Sequence, residues 1–439
     1  MEEFDVMVLG GGLSGVSAAL RSAELGGRVC LIEKRKLGEL GFRRRRALFI
    51  ENDKSFNLSW EKYKNELIVE AGKYSKFLEK KLSDAGVEVV EGEGQLASQK
   101  EISVQVGDGE HLLLKGKSII LAYGSDCRFS PTLPHEEKVV VSIDEISGLS
   151  DLPEKVLITG GGHFAAEAAL GLQKRGCKVF LCFEQKMLFP QLDEDFNKAV
   201  ESQFKTKKIK VLPGKKIISI YKNAGEIEIT LESGIKFSVN QIIIAEGRAG
   251  MPENDVAEKL GVRLGEHKNI LVDDAMMTSL PGVFAVGSVT GELTSDTLSR
   301  EEGRIAAENA MGKKRQLNRE WVPYTIRTEP CIAYAGCSMK TAPLQGFHPV
   351  EGNFEEKLED TEGSSVVQKF KVIADKRSRL VVGVQLISSN AVDWVPMLLL
   401  LIKKGVTVSN LSNCTSSEGA KINSISEAAR DCLKALKTS

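Results

Sequence analysis

Short apolar runs that end on glycine recur along this chain, and one such pattern occurs twice at a fixed offset. Residues 6–33 read VMVLGGGLSGVSAALRSAELGGRVCLIE, and residues 156–183 read VLITGGGHFAAEAALGLQKRGCKVFLCF. Gly10, Gly12, Gly26 and Val29 stand opposite Gly160, Gly162, Gly176 and Val179, with 150 residues from Gly10 to Gly160. Each copy predicts an apolar strand, a Gly-x-Gly-x-x-Gly/Ala turn, an alanine-rich helix and a second apolar strand. A long helix with alternating polar and apolar faces is predicted around residues 60–85. Two β-rich returns follow the two units and close on SIILAYG (118–124) and QIIIAEG (241–247). The stretch ILVDDAMMTSLPGVFAVGSV predicts a strand, a Pro-Gly turn and another strand ending at Gly287, followed by a helix over 299–311. Beyond about Trp321 the pattern changes to alternating strands, such as 370–374 and 380–388. Amphipathic segments over 391–404 and 424–437 follow, the mark of an α+β domain.

The glycine turns carry the chemistry. The first glycine permits a tight turn and the second lets backbone approach a pyrophosphate. The third position, Gly15 or Ala165, lets helix and strand pack closely. The helix N-terminus then offers unpaired N–H groups and a partial positive charge to phosphate. A glycine turn that binds nothing is the bland alternative, and two copies in register weigh against it. The copies differ at the residue that reads the ribose. Glu33 ends the second strand of the first copy, whereas Phe183 takes that place in the second, with Glu184 one step along and facing the other way if the strand continues. The first site is therefore read as a permanent cofactor site and the second as a looser, exchanging one.

Bulk properties narrow the class. A chain of 439 residues suggests two to four domains. A net charge of −1, with charges spread along the chain, points to no nucleic-acid or membrane partner. No basic-then-apolar leader precedes Val6, and residues 395–402 are too few to span a bilayer and read as a buried helix. Eight cysteines without zinc-type pairing favour a reducing cytoplasm and no metal site. Cys177 and Cys182 flank a predicted strand, which sets their Cα atoms roughly 16 Å apart. A disulfide needs about 4.4–6.8 Å. They read as core thiols, as do Cys331 and Cys337.

The motifs GGGLSG with Glu33, AYGS at 122–125, GGGHFAAE at 160–167, AEGR at 245–248, FAVGSV at 284–289, EEGRIAAEN at 301–309 and TEPCIAYAG at 328–336 belong together. In this combination the chain resembles the FAD-dependent pyridine nucleotide-disulfide oxidoreductases, the family of dihydrolipoamide dehydrogenase, glutathione reductase and mercuric reductase. The resemblance covers nearly the whole chain. It implies an α/β fold with two Rossmann-like three-layer nucleotide-binding domains and a C-terminal α+β dimerisation domain. The expected limits are 1–149 and 270–320 for the FAD-binding domain, 150–269 for the NAD(P)-binding domain and 321–439 for dimerisation. It implies FAD held by Gly10, Gly12, Gly15, Glu33, Lys34, Gly94, Ala122, Gly124, Gly287 and Ser288. NAD(P)H is expected at Gly160, Gly162, Ala165, Glu184 and Gly247, and a homodimer through the C-terminal domain.

The departures from that family are concentrated where its chemistry lies. The redox-active cysteine pair belongs on the helix after the first unit, where this chain reads GELGFRRRRAL at 38–48 without a cysteine. Phe42 then falls at the second cysteine and Arg46 at the family's lysine. At the C-terminus Asn413 and Cys414 replace a His-Pro pair, while Thr415, Ser417 and Glu418 remain. Without thiolate and imidazole, thiol-disulfide exchange has no route. Arg46 is expected to face inward and pair with Glu167, with a solvated arginine run as the alternative. His163 either lies over the flavin or hydrogen-bonds locally at a helix start, and Cys414 is either reactive or filler. Ser288 replaces an aspartate, and Phe183 leaves NADH and NADPH undistinguished. The expectation is an FAD-containing NAD(P)H oxidoreductase with a non-disulfide acceptor: a quinone, a one-electron acceptor or a partner redox protein. A non-catalytic flavin-binding scaffold and a reductase borrowing a partner's thiol are the rivals.

Overall fold

The computed structural model describes the chain except residues 1–2, 40, 43–57, 108, 224, 252, 292–294, 360–364, 415–421 and 439. It divides into two compact units, Met1–Pro153 with Gln241–Asn318, and Glu154–Asn240 with Arg319–Ser439. No helix among the described residues is long and apolar enough to cross a membrane.

In the first unit the strand Phe4–Leu9 lies between Val29–Glu33 and Glu110–Leu121, parallel to both, with Val6 opposite Val29 and Ser118. Glu88–Glu91 extends this sheet beside Val29–Glu33, and Val283–Ala285 adds to it beside Ile119–Leu121. Phe4–Leu9, Val29–Glu33 and Val283–Ala285 are buried along most of their length, as expected of a parallel sheet covered on both faces. The long strand Glu110–Leu121 also joins an antiparallel meander with Glu101–Val106 and Glu93–Ser98. The helix Trp60–Asp84 buries Tyr63, Leu67, Ala71, Ser75, Leu78 and Leu82, one stripe at three- and four-residue spacing. Ser59 caps it by accepting from Lys62 N–H.

In the second unit Lys155–Thr159, Lys178–Phe183 and Lys210–Pro213 form parallel pairs with the helix His163–Lys174 between the first two. An antiparallel ladder, Ile217–Asn223, Glu226–Leu231 and Lys236–Val239, follows. The C-terminal part is a sheet ordered Tyr324–Ile326, Ile332–Gly336, Val381–Ile387, Ser365–Asp375 and Pro349–Glu359. It packs through Phe370, Val372 and Leu386 against helices Ala391–Lys403 and Ile422–Thr438.

Two elements differ from the sequence expectation. The first strand expected after Asn269 does not form; Ile270 makes only an isolated bridge to Leu264, and Met277 one to Phe284. The helix Ala391–Lys403 buries Val395, Leu398 and Leu399 but leaves Met397 and Leu400 exposed, so it is buried on one face only. A run of apolar residues does not tell a helix with two buried faces from one whose second face awaits a partner.

Candidate functional site: two glycine turns

The repeat read from the sequence persists down to single hydrogen bonds. Gly10 N–H donates to Ile32 carbonyl at 2.8 Å, and Gly160 N–H donates to Cys182 carbonyl at 2.9 Å. Val16 N–H reaches Gly12 carbonyl at 2.9 Å, and Ala166 N–H reaches Gly162 carbonyl at 3.0 Å. Each turn thus ends one strand, hooks to the next strand and opens a helix, Leu13–Glu24 or His163–Lys174.

In the first turn the glycines serve different ends. Gly10 has φ +113°, and a Cβ there would lie 2.4 Å from the Ala122 carbonyl oxygen. A Cβ on Gly15 would lie 1.9 Å from the Gly10 carbonyl oxygen and 3.2 Å from Ala122 Cβ. Gly10, Gly15 and Ala122 are therefore small because the backbones touch. Gly12 differs: its φ of −71° suits any residue, and a Cβ there would meet nothing within 4 Å. The protein itself leaves open space beside the helix N-terminus, where backbone donors and the helix dipole favour a phosphate. Glu33 closes this cradle, its carboxylate accepting from Gly11 N–H at 2.5 Å and from Arg35 N–H at 2.8 Å. These features fit the pyrophosphate and ribose of a dinucleotide. Lys34 turns instead to Glu93 at 3.2 Å on the surface. Gly94 sits where a Cβ would strike Leu9 and Ile32, so packing between strands is reason enough for it.

Gly287 has φ +76°, and its N–H donates to Glu302 Oε2 at 2.7 Å. Glu302 is 2% exposed and lies on the helix Asp296–Ala310. Gly303 beside it lets that helix press onto Leu13–Glu24, since a Cβ there would be 2.3 Å from Ser14 carbonyl. Sequence reasoning missed these positioning roles of Glu302 and Gly303, although both stand in EEGRIAAEN. A carboxylate within a buried stripe is the signal that was available. Gly124 (φ +95°) lies close to Ser288 Oγ. Gly247 (φ +118°) belongs to the strap that ties the AYGS and AEGR turns together. There Arg248 binds Asp144 at 2.6 Å, Ser125 Oγ at 3.0 Å and the Ser125 carbonyl.

The second turn is built to a different pattern. Gly160 and Gly162 have φ +108° and +143°, and Ala165 is buried. Phe183 is buried with its ring against Gly161, where Glu33 meets Gly11 in the first copy; Gln185 Oε1 reaches the same glycine. Glu184 is exposed and lies just past the strand, which ends at Phe183. His163 is half-buried at the first residue of its helix, its ring 3.9 Å from that of Phe164. Glu167 is 2% exposed, and its Oε1 accepts from Arg327 N–H at 2.9 Å. Arg43–Arg46 lie outside the described residues, as do Thr415, Ser417 and Glu418. Phe42 is described and stacks on Tyr74 with ring centroids 4.9 Å apart.

All eight cysteines are free. Burial pushes Cys30 and Cys432 up to about 12, and Cys127, Cys177, Cys331 and Cys337 up to about 11. Those six thiols are protonated and poor nucleophiles at neutral pH. Among the described residues no group of histidine, cysteine and carboxylate side chains is arranged to hold a metal.

A family model described as pyridine nucleotide-disulphide oxidoreductase matches residues 4–312, and that family's dimerisation domain matches residues 322–418. Dihydrolipoyl dehydrogenase 1, mitochondrial, of Arabidopsis thaliana is 25% identical over 98% of this chain and 90% of its own length. Dihydrolipoyl dehydrogenase of Bacillus subtilis is 27% identical over 90% of each. Among solved structures, LpdA of Mycobacterium tuberculosis superposes with a TM-score of 0.85 at 19% identity, covering 97% of this chain and 98% of that one. The HOCl-induced flavoprotein disulfide reductase RclA of Escherichia coli, as its Cu(II) complex, superposes with a TM-score of 0.82 at 18% identity, covering 98% and 99%. At these identities the solved structures speak for the fold.

Proposed function

The chain belongs to the pyridine nucleotide-disulphide oxidoreductase family, and from that premise we propose that it delivers electrons to an acceptor other than a disulfide. The family's cofactors are FAD and NAD(P)H, and the chain is a flavin-dependent NAD(P)H oxidoreductase in that coarse sense. The observation that carries the finer reading is the absence of any cysteine between Cys30 and Cys127, the stretch that holds GELGFRRRRAL. The raised values of six buried or half-buried thiols elsewhere support it, because exchange needs a thiolate.

In this reading Gly10, Gly12, Gly15 and the N-terminus of Leu13–Glu24 hold the pyrophosphate of FAD, and Glu33 accepts from the ribose. Glu302 fixes the Gly287 turn beside Ser288, and Arg248 fixes the AYGS turn at Ser125. When bound, the flavin supplies the electron chemistry between nicotinamide and acceptor. The second turn receives NAD(P)H through Gly160, Gly162 and Ala165. Phe183 offers an apolar face there and no carboxylate for the ribose. His163 and Glu167 sit at the start and first turns of the helix that this nucleotide would meet, while Arg46 is proposed as the positive charge beside the flavin. A homodimer through the C-terminal domain, supported by its family match and by the exposed Met397 and Leu400, and a cytoplasmic location belong to the same proposal.

Anaerobic titration of purified protein with NADH and NADPH, read at the flavin absorbance, tests the electron donor. Steady-state assays with a benzoquinone, ferricyanide, lipoamide and glutathione disulfide test the acceptor. Bleaching by a nicotinamide nucleotide with turnover of the quinone or ferricyanide alone is the expected result. Sustained lipoamide turnover refutes the proposal. A yellow protein inert to both nucleotides favours a flavin-binding scaffold.

A further inference from the structure

The loop after the strand Lys178–Phe183, residues 184–193, leads from the second glycine turn to the helix Glu194–Thr206. In a unit of this kind the end of that strand meets the nucleotide's ribose, so the loop's conformation bears on affinity. Gln185 Oε1 lies beside the turn, 3.2 Å from where a Cβ on Gly161 would stand. The far end of the loop is pinned inside and outside its own unit of sequence. Asn197, 1% exposed, binds the Phe189 N–H and carbonyl at 2.8 Å each and the Leu192 carbonyl at 3.3 Å.

The remaining restraints come from the C-terminal sheet. Lys371 is 2% exposed and contacts Asp193 at 3.2 Å, Asp195 at 2.9 Å and Glu351 at 2.7 Å. Its neighbour Lys369 contacts Asp195 and Glu355 at 2.8 Å each. Gln385, 2% exposed, donates to Asp193 Oδ2 at 3.1 Å and accepts from Asp193 N–H at 3.3 Å. A surface loop held only by its own turn needs no buried lysine. Burying an ammonium is costly unless carboxylates surround it, so this arrangement marks a joint with one preferred geometry.

We propose that Lys371 and Gln385 are positioning residues for nucleotide binding, holding loop 184–193 in register with the second glycine turn from the C-terminal sheet. The inference rests on the proposed use of that turn by NAD(P)H. Lys371 and Gln385 meet at Asp193, so the loop's end is fixed by a charge and a two-way amide contact together. Neither touches the glycine turn in this structure; their effect passes through the loop.

The test uses the FAD-loaded full chain carrying Lys371→Met or Gln385→Leu. Amide hydrogen exchange over residues 184–193 reads the loop, and quenching of protein fluorescence by NADH and NADPH reads affinity. Each variant is expected to exchange faster in the loop and to weaken nucleotide binding by roughly tenfold, with FAD content unchanged. Asp193→Asn added to Lys371→Met removes the stranded carboxylate and recovers part of both losses. Should Lys371→Met fail to fold, Gln385→Leu, which removes no charge, carries the same expectation for the segment around Asp193. Loop exchange or nucleotide affinity unchanged in the folded variants overturns the inference alone. A parent protein that binds neither nucleotide refutes the oxidoreductase reading and the inference with it.

Discussion

The first glycine turn separates what the fold needs from what a ligand needs, and two single methyl groups test that separation. In Gly15→Ala the new Cβ starts 1.9 Å from the Gly10 carbonyl oxygen, so the helix or the turn must yield by about 1.5 Å to reach an ordinary 3.4 Å contact. Gly10 cannot retreat, because it already abuts the Ala122 backbone. Overpacking of this kind costs about 1–3 kcal/mol, and the better helix propensity of alanine returns about 1 kcal/mol of it. The apoprotein is expected to melt several degrees lower and to lose FAD as well. In Gly12→Ala the methyl meets only open space at a φ of −71°, a value suited to alanine. Loss of a glycine cap and gain in unfolded-state entropy nearly cancel, leaving apoprotein stability within about 0.5 kcal/mol. Flavin retention is nevertheless expected to drop, because the methyl stands between the turn and the pyrophosphate. One charge-assisted hydrogen bond lost is about 1.5–3 kcal/mol, at least a tenfold weaker affinity. Flavin content per chain after purification and thermal unfolding of the flavin-free proteins read the two effects separately. Full flavin retention in Gly12→Ala would falsify the pyrophosphate assignment. An apoprotein of Gly15→Ala as stable as its parent would refute the close-packing argument.

Three further outcomes follow from the geometry. Asp375 accepts from His348 N–H, Ser378 N–H and Ser378 Oγ, and although burial works the other way these donors hold its carboxyl down at about 2. Because the folded value lies below the unfolded 3.8, its contribution of about 2 kcal/mol is complete above about pH 4 and is lost as pH falls through 2. Asp375→Asn is therefore expected to lower stability by about 2 kcal/mol at pH 7 and by about half that at pH 3; equal losses at both pH values in urea unfolding would contradict it. Arg248→Ala removes the guanidinium from Asp144 in a site where both side chains are mostly buried, which costs up to about 3 kcal/mol. Flavin loss should accompany it as the Ser125 turn loosens, and Arg248→Lys, which keeps the charge, is expected to retain more flavin. If the raised thiols are as inert as their burial implies, Ellman's reagent at neutral pH labels Cys30, Cys127, Cys177, Cys331, Cys337 and Cys432 slowly until the protein is unfolded. Rapid labelling of any of the six in native protein, identified by peptide mapping, counts against this.

The sequence by itself determined the doubled nucleotide unit, since strand-turn-helix periodicity and glycine spacing are local properties that need no partner. It also determined the long helix Trp60–Asp84 and the α+β character of the C-terminal region, where the expected strand 370–374 falls inside Ser365–Asp375 and the expected 380–388 and 391–404 coincide closely with Val381–Ile387 and Ala391–Lys403. The missing cysteines of the GELGFRRRRAL stretch were legible at once, because an absence of a residue type needs no coordinates. Tertiary structure decided what the pattern could not. It distinguished Gly12, which faces open space, from Gly15, which is jammed against Gly10, although both stand in one motif. It brought Glu302 to Gly287 and Arg248 to Ser125, pairings over 15 and 123 residues. It placed Lys371 against Asp193, residues 178 apart. Propensity and periodicity act over a few residues along the chain. A buried charge finds its partner only when the sheets and helices have packed, and its identity is then set by desolvation and geometry.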